Sequence, residues 1–177
     1  MADEVARETH HQHIRTLHWL IVALVIGQWI SAGGMEAFFA RAADQPGVPP
    51  DSFGAAWHMS FGIAILLLMC GRFVLRLKVG TPDVPHDLAR PLRRLARLTH
   101  FAFYVVLVML PLTGLAALFF ARDFAAAHIL LKNALLVLAG LHILGVAYHM
   151  AVLRDGLLWR MITRPPERAG HWRNPVF

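Results

Sequence analysis

The sequence predicts an all-α fold: a transmembrane four-helix bundle, antiparallel and up-down, with both termini in the cytoplasm. Three observations predict it. Hydrophobic residues make up 57% of the 177-residue chain and the mean hydropathy is +0.52, too apolar for an ordinary soluble domain. Four runs, 17–39, 57–75, 98–120 and 129–153, reach the ~20 apolar residues that a bilayer crossing requires. Lys and Arg are distributed unevenly around them. Thirteen flank the two termini and the middle loop, while Arg41, Arg122 and Lys132 alone flank the other two loops. Basic loops stay in the cytoplasm.

The elements follow in order. The first span comes after a polar, acid-containing stretch with no small-residue cleavage site, so it reads as an uncleaved span rather than a signal peptide. The loop "RAADQPGVPPDSFG" is rich in Pro, Gly and Asp and is expected to be irregular. Cys70, the single cysteine, falls in the second span, which excludes an intrachain disulfide and suggests inert packing. The segment "GTPDVPHDLARPLRR" is again irregular, with residues 90–97 opening span three as an interfacial helix. Pro111 should kink span three, with Thr113 placed to rebond a freed carbonyl. The connection at about 121–127 is short, so spans three and four are tightly tethered neighbours. Trp19, Trp29 and Trp57 are expected as interfacial anchors. All 177 residues form one domain, with no internal repeat.

A net charge of +6 and a pI near 10.7 match this orientation and attraction to anionic headgroups of the membrane lipid. No Arg/Lys stripe interleaves with aromatics on a soluble face, so nucleic acid is excluded as a partner.

The chemistry lies in the histidines, of which there are eleven. His10, His11, His13, His86 and His171 fall in polar segments and read as solvated. His18, His58, His100, His128, His142 and His149 fall within spans or at their ends, where ionisable side chains cost a few kcal/mol and usually face the bundle interior for a functional reason. His128 and His142 are fourteen residues apart. On a helix this returns to within ~40° of one face at a separation of ~21 Å. That is too wide for one metal ion with protein ligands. A proton wire would need polar residues along the path, and the spans offer little beyond Gln28, Glu36 and Asn133. Two haems, one above the other, fit: each takes one His from span four and one from another span. By depth His58 meets His128, and His18 meets either His142 or His149, which lies ~20° off the face of His142 and ~10 Å further along.

"LHWL" in span one, "WHMSFGIAILLLMCGRFVLRL" in span two, "THFAFYVVLVMLPLTGL" in span three, and His128, "GLH" and "LRDGLLWRM" in span four resemble the bacterial cytochrome b561 family. These are dihaem, four-helix proteins of the bacterial inner membrane, and the likeness covers nearly the whole chain. The resemblance implies two haem b groups, with His18 and His142 holding the cytoplasmic-side iron and His58 and His128 the outer one; it thereby prefers His142 to His149. The chain departs from the family pattern in its short loop before His128, in Ile129 where an acid is frequent, and in Met150 where a second His is frequent.

Two axial histidines leave no open position on an iron, so outer-sphere electron transfer is expected rather than oxygen activation. Haem propionates need cationic partners: Arg15, Arg72 and Arg76 are candidates at the inner haem, Arg41, Arg122 and Lys132 at the outer one. A quinone such as ubiquinone is the natural membrane-borne acceptor and needs protons on reduction, for which His100 and His149 are the candidate donors. The outer donor is a one-electron reductant, superoxide or a redox protein, steered by the cationic side chains. Two other classes compete. A membrane-anchor cytochrome b subunit of a hydrogenase or dehydrogenase would copurify with a large partner. A haem-free proton or metal transporter would be colourless and carry acids along its spans.

Overall fold

A computed structural model describes residues 2–44, 53–79 and 90–162, apart from the side chains of 2–11, 14, 43, 44, 76, 78, 79, 157 and 160. Four long helices account for nearly all of it: α1 (Ala2–Asp44), α2 (Phe53–Val79), α3 (Arg90–Phe119) and α4 (Phe124–Tyr148). Each is long and apolar enough to cross a membrane. They run up and down in turn, and the end that carries the N-terminus and the arginine-rich start of α3 is here the lower end. α1 packs mainly on α2, α3 on α4, and α2 on α3.

The helices overrun the apolar stretches of the sequence. α1 extends back through the polar stretch to Ala2, since nothing there breaks a helix. α3 starts at Arg90, as the interfacial start predicted. The turn between α3 and α4 shrinks to residues 120–123. Residues 45–52 and 80–89, the centres of the two predicted irregular loops, lie outside the described residues, as do His86 and His171.

Packing is confined to the interior, and the outward faces are Leu, Ile, Val and Phe, as lipid-facing surfaces are. Ile21, Ile65, Met69, Val106, Leu107 and Leu135 form one buried cluster. Phe38, Ala42 and Ala55 form a second at the upper end. There α1 and α2 meet backbone to backbone: a Cβ on Gly34 would fall 2.6 Å from the Gly54 Cα. Arg122 donates to the Ala42 carbonyl and ties the α3–α4 turn to the end of α1.

Three expectations about single residues are corrected. Cys70 is exposed on the outer face of α2, off the buried stripe of Ile65 and Met69, and packs no core. Trp29 lies midway along its span and lines an interior cavity instead of anchoring a surface. Pro111 lacks the amide that would bond the Leu107 carbonyl, yet the Thr113 hydroxyl goes to the carbonyls of Met109 and Leu110, both at 2.9 Å.

At the lower end α4 passes into a π-helical turn, His149–Leu153. The chain then reverses through Arg154 (φ 49) and Gly156 (φ 68) into the short α5, Leu157–Ile162. The Trp19 indole N–H donates to the Met161 carbonyl at 2.8 Å and holds α5 against the start of α1.

Candidate functional site

The fourteen-residue interval governs all four helices. In α1 and α3, which run upward, His18 is followed at that interval by Ala32, and His100 by Gly114. In α2 and α4, which run downward, His58 is followed by Arg72 and His128 by His142. Two levels result, ~21 Å apart. The upper one holds Ala32, His58, Gly114 and His128, all lining one cavity. The lower one holds His18, Arg72, His100 and His142, with the rings of His18 and His100 centred 6.3 and 5.7 Å from that of His142. Halfway between, seven residues from each, lie Val25, Ile65, Leu107 and Leu135, the apolar layer of the main cluster.

At the upper level the rings of His58 and His128 face each other with centres 6.2 Å apart. An imidazole–metal bond of ~2.1 Å and a ring nitrogen ~1.1 Å from the ring centre put two imidazoles in line across one ion ~6.4 Å apart. The spacing therefore fits one ion between the rings. The tautomers agree. His58 Nδ1 donates to the Gln28 carbonyl at 3.3 Å, with Ser31 Oγ at 3.5 Å. His128 Nδ1 donates to the Leu110 carbonyl at 2.9 Å, with Thr113 Oγ at 3.5 Å. With Nδ1 engaged, Nε2 of each ring is presented to a metal, the usual outer support of a ligating histidine.

The space around these rings suits a macrocycle. The cavity has a volume of about 810 Å³ and a largely apolar lining, within the range of cofactor pockets. Gly114 stands so close that a Cβ there would lie 3.2 Å from two His128 ring atoms. Arg122, Lys132 and Glu36 also line this cavity; Arg41 does not. Gln28 Oε1 is buried there without a hydrogen-bond partner.

At the lower level His18 faces His142 with ring centres 6.3 Å apart, the same fit to one ion. Here the neighbours are rings. His100 and Phe103 stand edge-on to His142 at 5.7 and 5.6 Å, and Trp19 edge-on to His18 at 5.4 Å. The His100 Nδ1 donates to the Ala96 carbonyl at 2.7 Å. Arg72 donates through Nε to the Tyr104 hydroxyl at 3.1 Å. His149 is held apart, its Nδ1 2.6 Å from Asp155 Oδ2. Among the described residues no three His, Cys, Asp or Glu side chains converge as on a bare metal ion.

The cationic candidates separate. Arg72 belongs to the lower level, whereas Arg15 lines a second cavity of about 520 Å³ with Gln12, Thr16, Trp19, Leu20, Met161 and Ile162. Arg76 lies on α2, its side chain outside the described residues. Neither His100 nor His149 lines this lower cavity.

Comparison with known proteins identifies the family. The model of the prokaryotic cytochrome b561 family matches residues 9–164. The chain belongs to the prokaryotic cytochrome b561 family. It is similar to a probable superoxide oxidase CybB of Yersinia pestis, 29% identical over 174 aligned residues, covering 84% of this chain and 92% of the relative. It is also 32% identical over 151 residues to a cytochrome b562 of Cereibacter sphaeroides, covering 83% and 90%. The protein is thus a multi-pass membrane cytochrome b of the bacterial inner membrane, binding b-type haem and carrying electrons across the bilayer.

Reasoning from the sequence missed the supporting side of both levels: Ser31 and the Gln28 and Leu110 carbonyls behind the upper ligands, and Phe103 and Tyr104 at the lower one. Arg72 and His100 were already assigned to the lower end; applying the same interval to α1 and α3 would have added Ala32 and Gly114 to the upper level. Nothing in a sequence indicates which backbone carbonyls a ring will meet.

Proposed function

We propose that the two levels each hold one bis-histidine haem b, His58 with His128 above and His18 with His142 below, and that the protein passes electrons from a periplasmic one-electron donor to a quinone. The observation that carries this reading is the pair of imidazole separations, 6.2 and 6.3 Å, at one interval on one helix. Each haem, when bound, supplies a one-electron couple with no open coordination position. The lower, basic end faces the cytoplasm, in keeping with the Lys/Arg distribution.

The protein's own residues do the rest. The Gln28 and Leu110 carbonyls fix the upper rings, and Gly114 leaves His128 room. Arg122 and Lys132 line the cavity at the upper end and attract an anionic donor. Superoxide suits that charge, and the name of the Yersinia pestis relative supports it. Two superoxide ions each give up one electron and leave as dioxygen; one quinone takes both electrons and two protons and leaves as quinol.

The lower cavity beside Trp19 is placed for the quinone ring. It is lined by Gln12, Arg15 and Thr16 on one side and Leu20 and Ile162 on the other, and Trp19 joins it to His18. His149, oriented by Asp155 at the bundle end, passes protons from water toward this site, with His100 the second donor. Neither lines the cavity, so a bound water completes each path.

The test is a proteoliposome assay with ubiquinone in the bilayer and superoxide generated outside. Quinol formation that requires His18, His58, His128 and His142 is expected. A protein that binds two haems but reduces quinone only with a copurifying dehydrogenase would establish the anchor-subunit reading instead.

A further inference from the structure

Below α4 the chain turns back on itself, and two backbone conformations make the turn. Arg154 (φ 49) and Gly156 (φ 68) lie in the left-handed region on either side of Asp155. Gly156 tolerates that region, whereas the Cβ of Arg154 disfavours it. The helix that follows, α5, has six residues, a length at which an isolated helix is unstable in water. It packs mainly on the π-helical turn that it leaves, and Trp159 and Ile162 are more than half exposed. Its far end is held to α1 by the Trp19 indole N–H on the Met161 carbonyl at 2.8 Å. A segment so lightly packed belongs to the low end of local stability in a folded protein.

α5 is also a wall. Met161 and Ile162 line the lower cavity from its side, and α1 residues between Gln12 and Leu20 line it from the other. With α5 moved off α1, those α1 residues form an open surface in place of a cavity. The turn carries a second group of the site. His149 Nδ1 donates to Asp155 Oδ2 at 2.6 Å, so the backbone that docks α5 also sets the carboxylate on His149.

We propose that α5 is the lid of the lower cavity and that its closure orients His149. This rests on the reading of that cavity as the quinone site. The lid pivots at Arg154–Gly156 to admit a quinone, as lids pivot on a few residues at the end of an element. It closes with the Met161 carbonyl on the Trp19 N–H and with Asp155 on His149. A closed lid therefore holds the quinone and aims its proton donor in one movement, and an open lid does neither. The left-handed Arg154 keeps closure from becoming too stable, so that quinol is released.

The test is hydrogen exchange at the α5 amides of the oxidised, haem-loaded protein with and without decylubiquinone, beside photolabelling with an azido derivative of it. A ligand taken only by the closed form suppresses opening in proportion to its saturation, so decylubiquinone at about ten times its Kd is expected to slow α5 exchange about tenfold. Without quinone, Arg154→Gly removes the Cβ that resists the turn and should slow α5 exchange about fivefold. Gly156→Val places a β-branched residue at φ 68 and should speed it by about fivefold or more. The same variant should bind decylubiquinone more weakly, with both haem bands unchanged. A label on residues 12–20 with α5 exchange unmoved by decylubiquinone overturns the lid and leaves the quinone site standing. A label on neither α1 12–20 nor α5 overturns the quinone reading of the cavity, and the lid with it. If Gly156→Val fails to assemble, Arg154→Gly decides: α5 exchange as fast as in wild type, or faster, overturns the inference.

Discussion

The two levels of the bundle present the same imidazole spacing in different surroundings. Above, the partners of the imidazoles are backbone carbonyls, α3 contributes a glycine, and Lys132 stands one turn below His128 in the lining of the same cavity. Below, His18 and His142 stand among a third histidine, two aromatic rings and an arginine. The difference shows how one helical interval can make two sites with unlike properties: periodicity sets where a cofactor sits, and the residues at the non-ligand positions set how it behaves. An arginine in a span costs ~3 kcal/mol on insertion scales, and Arg72 offsets part of that by donating across the bundle to the Tyr104 hydroxyl.

The largest expected effect is loss of one level without the other. His128→Ala removes the upper haem and His142→Ala the lower, each leaving one haem per chain, measured by pyridine haemochrome assay against protein. A steric version of the same separation uses Gly114. With Gly114→Val, branched carbons enter the space of the His128 ring, and the upper haem's affinity should fall by about 10–100-fold, the usual effect of disturbing a ligand's support. Gly140→Ala, where a Cβ meets nothing within 4 Å, should leave both haems bound.

Proton handling gives the next contrast, since only the lower end carries the His149–Asp155 pair. Asp155→Asn removes the carboxylate that orients His149 and should lower quinone reduction about tenfold, less than the ~100-fold or more of losing an acid–base group outright, with both haem bands intact. An unchanged rate would exclude His149 as donor. The smallest effect is expected at Trp19. Trp19→Phe removes the hydrogen bond to Met161 and weakens the hold on α5 by about 1 kcal/mol, roughly fivefold. Hydrogen exchange at the α5 amides reads this directly, and the upper half of the bundle should not respond.

Much of this was legible in the sequence because a bilayer demands long apolar runs and makes every histidine within them conspicuous. The four spans and the short α3–α4 turn follow from that demand. Helix ends were less legible: the polar start of α1 continues the helix because propensity, not hydropathy, decides where it stops. Trp29 was misplaced because a tryptophan on a span looks the same whether it faces a headgroup or a cofactor cavity. The pairing of His149 with Asp155 depends on a π-turn and on Arg154 in a left-handed conformation, which a uniform 100° step does not anticipate. Sequence depth alone left those two histidines equivalent; the coordinates set one opposite His18 and the other on Asp155.

That distinction permits the most direct test of two bis-histidine levels. Haem is quantified per chain, with reduced-minus-oxidised spectra, in wild type, His142→Ala and His149→Ala. The account predicts two low-spin b haems, one and two, respectively. One haem in wild type, or loss of a haem from His149→Ala with both retained in His142→Ala, would contradict it.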